Sequence, residues 1–510
     1  MSNIQEMEMT LMVSLCLTTL LTLLLLKKFL KRTAKKVNLP PSPWRIPVIG
    51  NLHQLSLHPH RSLHSLSLRY GPLMLLHFGR VPILVVSSSE AAHEILKTHD
   101  LKFANRPKSK AVHGLMNGGR DVVFGPYGEY WRQMKSVCIL NLLTNKMVAS
   151  FEKVREEEVN AMMEKLEKAS CSSSAENLSE LFVTLTSDVT SRVSLGKKYW
   201  EDETAGGLKK RVRQIMELLR EFPIGDYVPA LAWIDRINGF NSKIVEVSRA
   251  YSDLMEKVVQ EHLEAGEHKA DFVNILLSIE KEKNNGFKVQ RNDIKFMILD
   301  MFIGGISTSS TLLEWIMTEL IRNPECMKKL QNEIRSTIRP HGSYIKEKEV
   351  ENMRYLKAVI KEVFRVHPPL PLILPRLLTE DVKVKGYDIA AGTEVLINAW
   401  SIHRDPAIWG PDAEEFKPER HLDSTLDYHG QDLKYIPFGS GRRICPGINL
   451  AMGLVEVTLA NLVGRFDWSV DPGPNGDQPD LAEDFGLDIP KKVFINNLPR
   501  IRFECIDFKI

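Results

Sequence analysis

The residues best placed to do chemistry lie in one short stretch, Phe438-Gly439-Ser440-Gly441-Arg442-Arg443-Ile444-Cys445-Pro446-Gly447. It is a glycine-rich loop with one cysteine, flanked by arginines and followed by an apolar run from Ile448 to Val457. A thiolate stays ionised among positive charge and backbone N–H donors, and a bound metal ion deprotonates the thiol outright. Glycines at 439, 441 and 447 permit close backbone approach and conformations closed to other residues. The segment that follows can start a helix just beyond the sulfur, its first N–H groups facing the negative charge. Zinc and iron–sulfur sites need several ligands. A single axial thiolate on haem iron needs only Cys445.

A second stretch carries hydroxyls. Asp293 opens an apolar helical pattern that runs to about Arg322, before Pro324, with Gly304-Gly305-Ile306-Ser307-Thr308-Ser309-Ser310 at its centre. Two adjacent glycines destabilise a helix interior by about 1 kcal/mol each relative to alanine. Followed by hydroxyl residues they permit a bend or widened turn, which leaves room for a cofactor and a small ligand against the backbone. Elsewhere, Glu362 and Arg365 stand three apart on one helix face, as Trp131 and Lys135 stand four apart on another. The segment from His367 to Arg376 holds Pro368, Pro369, Pro371 and Pro375, so it is extended and not helical.

Phe438, Gly441, Arg443, Cys445 and Gly447, at these spacings, resemble the cysteine-loop signature of the cytochrome P450 family, and four further family motifs occur in order. The resemblance implies a mainly α fold with small β-sheets, haem b as cofactor and Cys445 as the proximal iron ligand. Phe438, Arg443 and Gly447 would frame the cofactor, and Trp131, Lys135 and Arg376 would meet its propionates. Glu362, Arg365 and Arg420 would form a network that fixes the cysteine loop. Val122, Val123 and Phe124 would roof the substrate cavity, with Leu370, Leu372 and Ile373 in its wall and Phe222 in a lid. His367 and His403 read as structural or propionate-side residues and not as iron ligands. Gly304, Gly305, Ser307 and Thr308 fall on the oxygen-activating helix. Thr308 matches that motif, but Ser307 stands where an acid is usual. A carboxylate can accept and resupply protons through water; a serine relays a proton but stores none near neutral pH.

The nearest resemblance is to plant microsomal members, and within them to the crucifer group that processes indole-3-acetaldoxime in making indolic nitriles and camalexin. It implies dehydration of the aldoxime to a nitrile, the departing hydroxide taking a proton relayed through Ser307, Thr308 or water. The alternative is an NADPH- and O₂-dependent hydroxylase of another aromatic or terpenoid substrate. Electrons would come from NADPH through a reductase, for which Arg132 would help present a basic surface.

The elements that must position these residues follow from composition. The chain has 510 residues, 43% of them hydrophobic, enough for a large core. Its six cysteines are dispersed with no repeated CxxC, which argues against a disulfide scaffold or zinc finger and fits a reducing compartment. Residues 1–36 carry a local charge of +4 within a total of +3, so the remainder is near neutral, which argues against a nucleic-acid partner. Residues 9–30 read as a transmembrane anchor, acidic before and basic after. This charge order places 1–8 in the lumen and the body in the cytosol; the resemblance implies the endoplasmic reticulum membrane. Residues 31–50 read as a basic, proline-rich hinge with Trp44 at headgroup level, and 51–510 as the haem-thiolate catalytic domain. Strands are expected at 74–78 and 83–86 as a hairpin, and near 382–384 and 393–398 in one small sheet, with a loop at 170–177 and a hairpin in the tail after 481. Asn177-Leu178-Ser179 matches a glycosylation acceptor, which a cytosolic body would not use.

Overall fold

A computed structural model describes residues 37–116, 118–172, 176–199, 207–266, 271–281, 288–337, 344–470, 481–484, 488–491 and 501–505, together with Met12, Ser14, Leu15, Thr18, Thr19, Leu21 and Thr22. Its centre is a broken helix, Arg291–Gly305 followed by Ser307–Arg322. Gln290 and Asp293 start it with a reciprocal capping box, the Gln290 N–H donating to Asp293 Oδ2 at 2.8 Å. The 32-residue run Arg291–Arg322 is long and apolar enough to cross a membrane, yet 72% of its apolar window is buried in the protein. It is therefore the core helix, as apolar all round as a fully enclosed helix must be. Helices Leu178–Leu195, Arg354–Val366 and Ile448–Arg465 pack against it. Trp315 is fully buried there, its indole N–H donating to Ile489 O at 2.9 Å.

Eight strands are described: β1 Leu73–Phe78, β2 Val81–Val86, β3 Leu372–Leu377, β4 Val382–Val384, β5 Tyr387–Ile389, β6 Glu394–Asn398, β7 Phe466–Val470 and β8 Ile501–Cys505. β1 and β2 form the expected antiparallel hairpin in a sheet of order β1-β2-β6-β3, with β6 parallel to β2. The β3–β6 register shifts between Ile373 and Arg376, where Pro375 cannot donate to the ladder. The expectation of one sheet containing both 382–384 and 393–398 is corrected: among the described residues β4 pairs with β5 in a separate ribbon. Lys385 (φ +48°) and Gly386 (φ +81°) turn the chain straight back after β4, so its partner is the next segment and not β6.

Two other local readings change. The loop expected from Ser170 begins later, because helix Glu152–Ser172 continues through it. Asn177 caps helix Leu178–Leu195, its side chain accepting from the Glu180 N–H at 3.1 Å, which gives the Asn-Leu-Ser triplet a structural reason.

At the amino terminus the described residues within 9–30 are helical, and the Thr18, Thr19 and Thr22 hydroxyls donate to carbonyls three or four residues back. The rest of the expected anchor and the basic cluster through Lys36 lie outside the described residues. The proline-rich segment is extended and docked: Leu75 N–H donates to Pro41 O at 2.9 Å, and Asn38 exchanges hydrogen bonds with Asp388 and donates to Gly386 O. In the tail, Glu483 and Lys491 form an antiparallel bridge and β8 pairs with β7. The remainder of the expected hairpin lies outside the described residues.

Candidate active site around Cys445

The cysteine loop is shaped by backbone before side chains enter. Gly439 and Gly441 both take φ +73°, and a Cβ on Gly441 would lie 2.8 Å from the Leu96 carbonyl oxygen. Gly447 departs from expectation. Its φ is −90°, open to any residue, and its added Cβ would make ordinary contact with Cys445 Sγ at 3.9 Å. It serves as the N-cap of Ile448–Arg465, with its N–H directed at the sulfur. The Cys445 N–H donates to Phe438 O at 3.1 Å, closing the loop, and the Phe438 ring packs on Phe364 at 5.0 Å. Burial pushes the Cys445 thiol up, opposed by the Gly447 amide and the Lys135 ammonium. A bound metal ion overrides that desolvation and holds the thiolate.

Cations gather around this loop. Arg443 donates to Ala104 O at 2.8 Å and Gly125 O at 2.6 Å, and its guanidinium lies 3.9 Å from the Trp131 ring. Trp131 donates its indole N–H to Val122 O at 2.9 Å. Lys135 sits 5.1 Å over the same ring and donates to Arg442 O. Arg376, 1% exposed, donates through Nη2 to Ser440 O at 2.9 Å, while its Nε and Nη1 have no protein partner. Arg106, which the sequence reading did not single out, donates to Val123 O, Leu374 O and Pro375 O. Burial pushes Arg376 down to about 10, Arg443 to about 9 and Arg106 well below its usual range. Arg376 adds to the shifts of the other two by repulsion. A guanidinium keeps its proton, so these shifts register concentrated, desolvated positive charge. Burial and Arg443 likewise push Lys135 down to about 8.

A single sulfur together with buried, partly unpartnered guanidinium N–H groups fits an iron porphyrin, whose metal takes one thiolate and whose two propionates need such donors. Arg132 is exposed on the helix that carries Trp131 and Lys135.

The core helix breaks at Ile306, whose N–H reaches Phe302 O only at 3.4 Å. Gly304 is exposed inside an otherwise enclosed helix, and a Cβ there would meet nothing within 4 Å, so the break faces open space. At Gly305 an added Cβ would lie 3.1 Å from Thr190 Oγ1 on the neighbouring helix. Thr308 Oγ1 donates to Gly304 O at 2.5 Å across the break, leaving its lone pairs free to accept. Ser307 is half-buried, three positions after Gly304 and so close to the same face.

The structure brings Glu362, Arg365 and Arg420 together. Both Glu362 oxygens accept from Arg365 at 2.8 Å, and Arg420 Nε lies 3.4 Å away. His421, absent from the sequence reading, completes the set with Nε2 2.9 Å from Glu362 Oε2. Its proximity to Arg420 in the chain was the available signal. His403 accepts the Ile436 N–H at 2.9 Å, and His367 stacks on Trp315 while pairing with Glu319 at 2.6 Å.

The wall candidates divide. Val122 belongs to the main core, Leu372 packs with the β1–β2 core, and Ile373 packs with the core under β6. Val123, Phe124 and Leu370 are half-buried. Phe222 is 50% exposed and stacks on Tyr227 at 3.9 Å.

A family model described as Cytochrome P450 matches residues 40–495. Cytochrome P450 71A18 of Arabidopsis thaliana is 99% identical over 486 residues, covering 95% of this chain and 98% of its own. Indoleacetaldoxime dehydratase of the same plant is 84% identical with the same coverage. A zebra fish cytochrome P450 structure with progesterone superposes with a TM-score of 0.73 at 24% identity, covering 88% of this chain and 100% of that one. Fold, thiolate loop and full-length relatives agree, and the chain belongs to the cytochrome P450 family.

Proposed function

We propose that this chain is a haem-thiolate enzyme of plant indolic defence metabolism that dehydrates indole-3-acetaldoxime to the nitrile. The observation that carries the reading is the 84% identity to indoleacetaldoxime dehydratase over 95% of the chain. Cys445 holds the iron of haem b, and Arg376 and Arg443, with Lys135 and Trp131 beside them, frame the propionate side. When bound, haem would supply an electron-rich iron for breaking an oxime N–O bond. The chain's own residues then manage a proton. Thr308 is oriented by its bond to Gly304 O and can accept from water, and Ser307 beside it can relay but not store one. Departure of hydroxide as water takes up one proton, the oxime carbon gives one up as the nitrile forms, and the net reaction consumes neither protons nor oxygen, so a distal helix without an acid at 307 is sufficient.

A second reading, NADPH- and O₂-dependent hydroxylation of another aromatic or terpenoid substrate, draws support from Thr308 in the distal break. Both readings place the enzyme on the endoplasmic reticulum membrane, anchored by 9–30 and fed by NADPH-cytochrome P450 reductase. The docked proline-rich strut and the exposed Trp44 and Val48 beside it support a fixed attitude towards a lipid surface. Incubating reduced holoenzyme with indole-3-acetaldoxime under strict anaerobiosis tests the choice. Nitrile formation is expected; an aldoxime left intact without oxygen would overturn the dehydration reading and leave the oxygen-dependent one.

A further inference from the structure

Helix Lys110–Leu115 has six residues, well short of the length at which a helix holds itself together in water. Its N-cap residue, Ser109, supplies no side-chain cap. The cap comes from a distant part of the chain, the Lys110 N–H donating to Asp226 Oδ2 at 3.0 Å. The Lys110 ammonium donates in turn to Asp235 Oδ2 at 2.9 Å. Both acids belong to residues 222–237, a run of short helical turns between helices Leu208–Arg220 and Phe240–Ala265.

Asp235 also organises that run from within. Its Oδ1 accepts the Ile224 N–H and its Oδ2 the Gly225 N–H, each at 2.9 Å. The Asp235 side chain is 2% exposed and that of Lys110 is 37% exposed, so the acid is enclosed while its cation reaches solvent. The packing requires glycine at 225, where a Cβ would lie 2.2 Å from Lys110 Nζ and 2.6 Å from Asp235 Oδ2. A second close approach occurs at Gly114, whose Cβ would lie 2.3 Å from Ile244 Cγ2 on Phe240–Ala265. The Tyr227 carbonyl accepts the Arg80 N–H at 2.9 Å, which fixes the middle of the run to the β1–β2 turn. Helix Leu208–Arg220, which leads into the run, packs on Lys110–Leu115 and on Arg291–Gly305, the half of the core helix that ends at the break.

We propose that residues 222–237 are a strap that keeps helix Lys110–Leu115 folded, and that strap and helix loosen together as one gate to the cavity. A strap that lifts takes with it the acceptor of the helix's first N–H and the counter-ion of its first side chain. The helix, too short to stand alone, then unwinds. A helix that frays first leaves Asp235 enclosed without its cation, which is costly. Each element therefore depends on the other, and the pair opens as one cooperative unit. Lys110, Asp226 and Asp235 are positioning residues.

The test uses holoenzyme of wild type, Lys110→Met and Asp226→Ala, and reads each variant on the element it does not belong to. Hydrogen exchange followed by mass spectrometry should rise about three- to tenfold in peptides of 222–237 when Lys110 is changed. It should rise by a similar factor in peptides of 110–115 when Asp226 is changed. That range lies between a solvent-reached ion pair and a buried hydrogen bond to a charged group. Peptides of Leu178–Leu195 should exchange as in wild type. Exchange that rises only on the mutated element, on neither, or throughout the protein overturns the coupling. The second arm rests on the proposed substrate and follows release of indole-3-acetaldoxime by the haem absorbance shift in stopped flow. Lys110→Met should release it about three- to tenfold faster, and added salt should speed release from wild type but not from the variant. Equal release rates would refute the gate. An aldoxime that produces no shift with wild type refutes the substrate reading instead, and the exchange arm still decides the strap.

Discussion

Replacing Glu362 by glutamine keeps the side chain's shape and removes its charge, so it isolates what the buried ion pair contributes. Arg365 addresses both oxygens, Nη2 to Oε1 and Nε to Oε2, each at 2.8 Å. Whichever way the glutamine amide turns, its NH₂ therefore meets a guanidinium donor. Oε1 also accepts the Lys417 N–H at 2.9 Å. Removing one partner of a buried pair destabilises by about 3–5 kcal/mol, which is roughly two to three and a half decades in the folding equilibrium. A second route agrees. Burial would raise the Glu362 carboxyl, but the Arg365 and His421 hydrogen bonds outweigh it and hold the group at about 2 instead of 4.5. At 1.36 kcal/mol per pH unit that gap corresponds to about 3 kcal/mol.

The damage has a path to the Cys445 loop. Arg365 also donates to His403 O, Ala413 O and Glu415 O; His403 accepts from the Ile436 N–H, and Ile436 O accepts from Gly439. Glu362→Gln should accordingly lower the urea midpoint of the holoprotein and weaken its reduced carbon monoxide thiolate band together. The sign of the pH dependence is fixed. A depressed carboxyl stabilises fully above its unfolded value of 4.5 and loses that contribution as pH falls towards about 2. The gap between wild type and variant should be constant at neutral pH and close on acidification. A variant with the wild-type midpoint and an intact thiolate band at neutral pH would refute the reasoning.

Gly441→Ala forces a side chain into φ +73° and against the Leu96 carbonyl, so haem-thiolate yield should drop sharply, whereas Gly447→Ala, at φ −90°, should retain the thiolate band. Arg376→Leu removes buried N–H donors and should speed haem transfer to an excess of acceptor protein by about 10- to 100-fold, on the scale of one or two charged hydrogen bonds; an unchanged rate would exclude Arg376 from cofactor binding. Ser307→Asp adds a proton reservoir beside Thr308 and should move products from nitrile towards oxidised species. An unchanged nitrile-to-oxidised ratio by chromatography would show that the serine does not select the chemistry.

The parts of this site that are legible in sequence are those fixed by short-range geometry. The cysteine loop is readable because Gly439 and Gly441 are needed within a few residues of the sulfur, and Glu362 with Arg365 because three positions on a helix share a face. The broken core helix follows from Gly304-Gly305. Arg106 and the hold of Asp300 on the Val122 amide were not legible, since what assembles them is the fold and no local period. Asp300 did leave one trace, a lone acid within the apolar run Phe296–Ile303, where an unpaired charge would be too expensive to bury. The unexpected partner of β4 has a similar cause. Three residues of strand carry a pattern but not a partner, and the choice was made by the positive φ of Lys385 and Gly386.

The electrostatics of the proximal side tie cofactor binding to folding. Arg106, Arg376, Arg443 and Lys135 converge with mutual repulsion, and the acids that face them are Asp121, already engaged by loop amides, and Asp100, which faces Arg376. Buried cations in that state are costly unless anionic partners accept their remaining N–H groups. On the proposed reading, two propionates would supply such acceptors for Arg376 Nε and Nη1, which have no protein partner among the described residues. The free energy of that pairing belongs to the folded state only, so haem raises stability by linkage. It follows that a substitution weakening the cation set should lower holoprotein stability more than its protein–protein contacts alone account for, with Arg376, held among protein atoms by one bond to Ser440 O, showing the largest discrepancy.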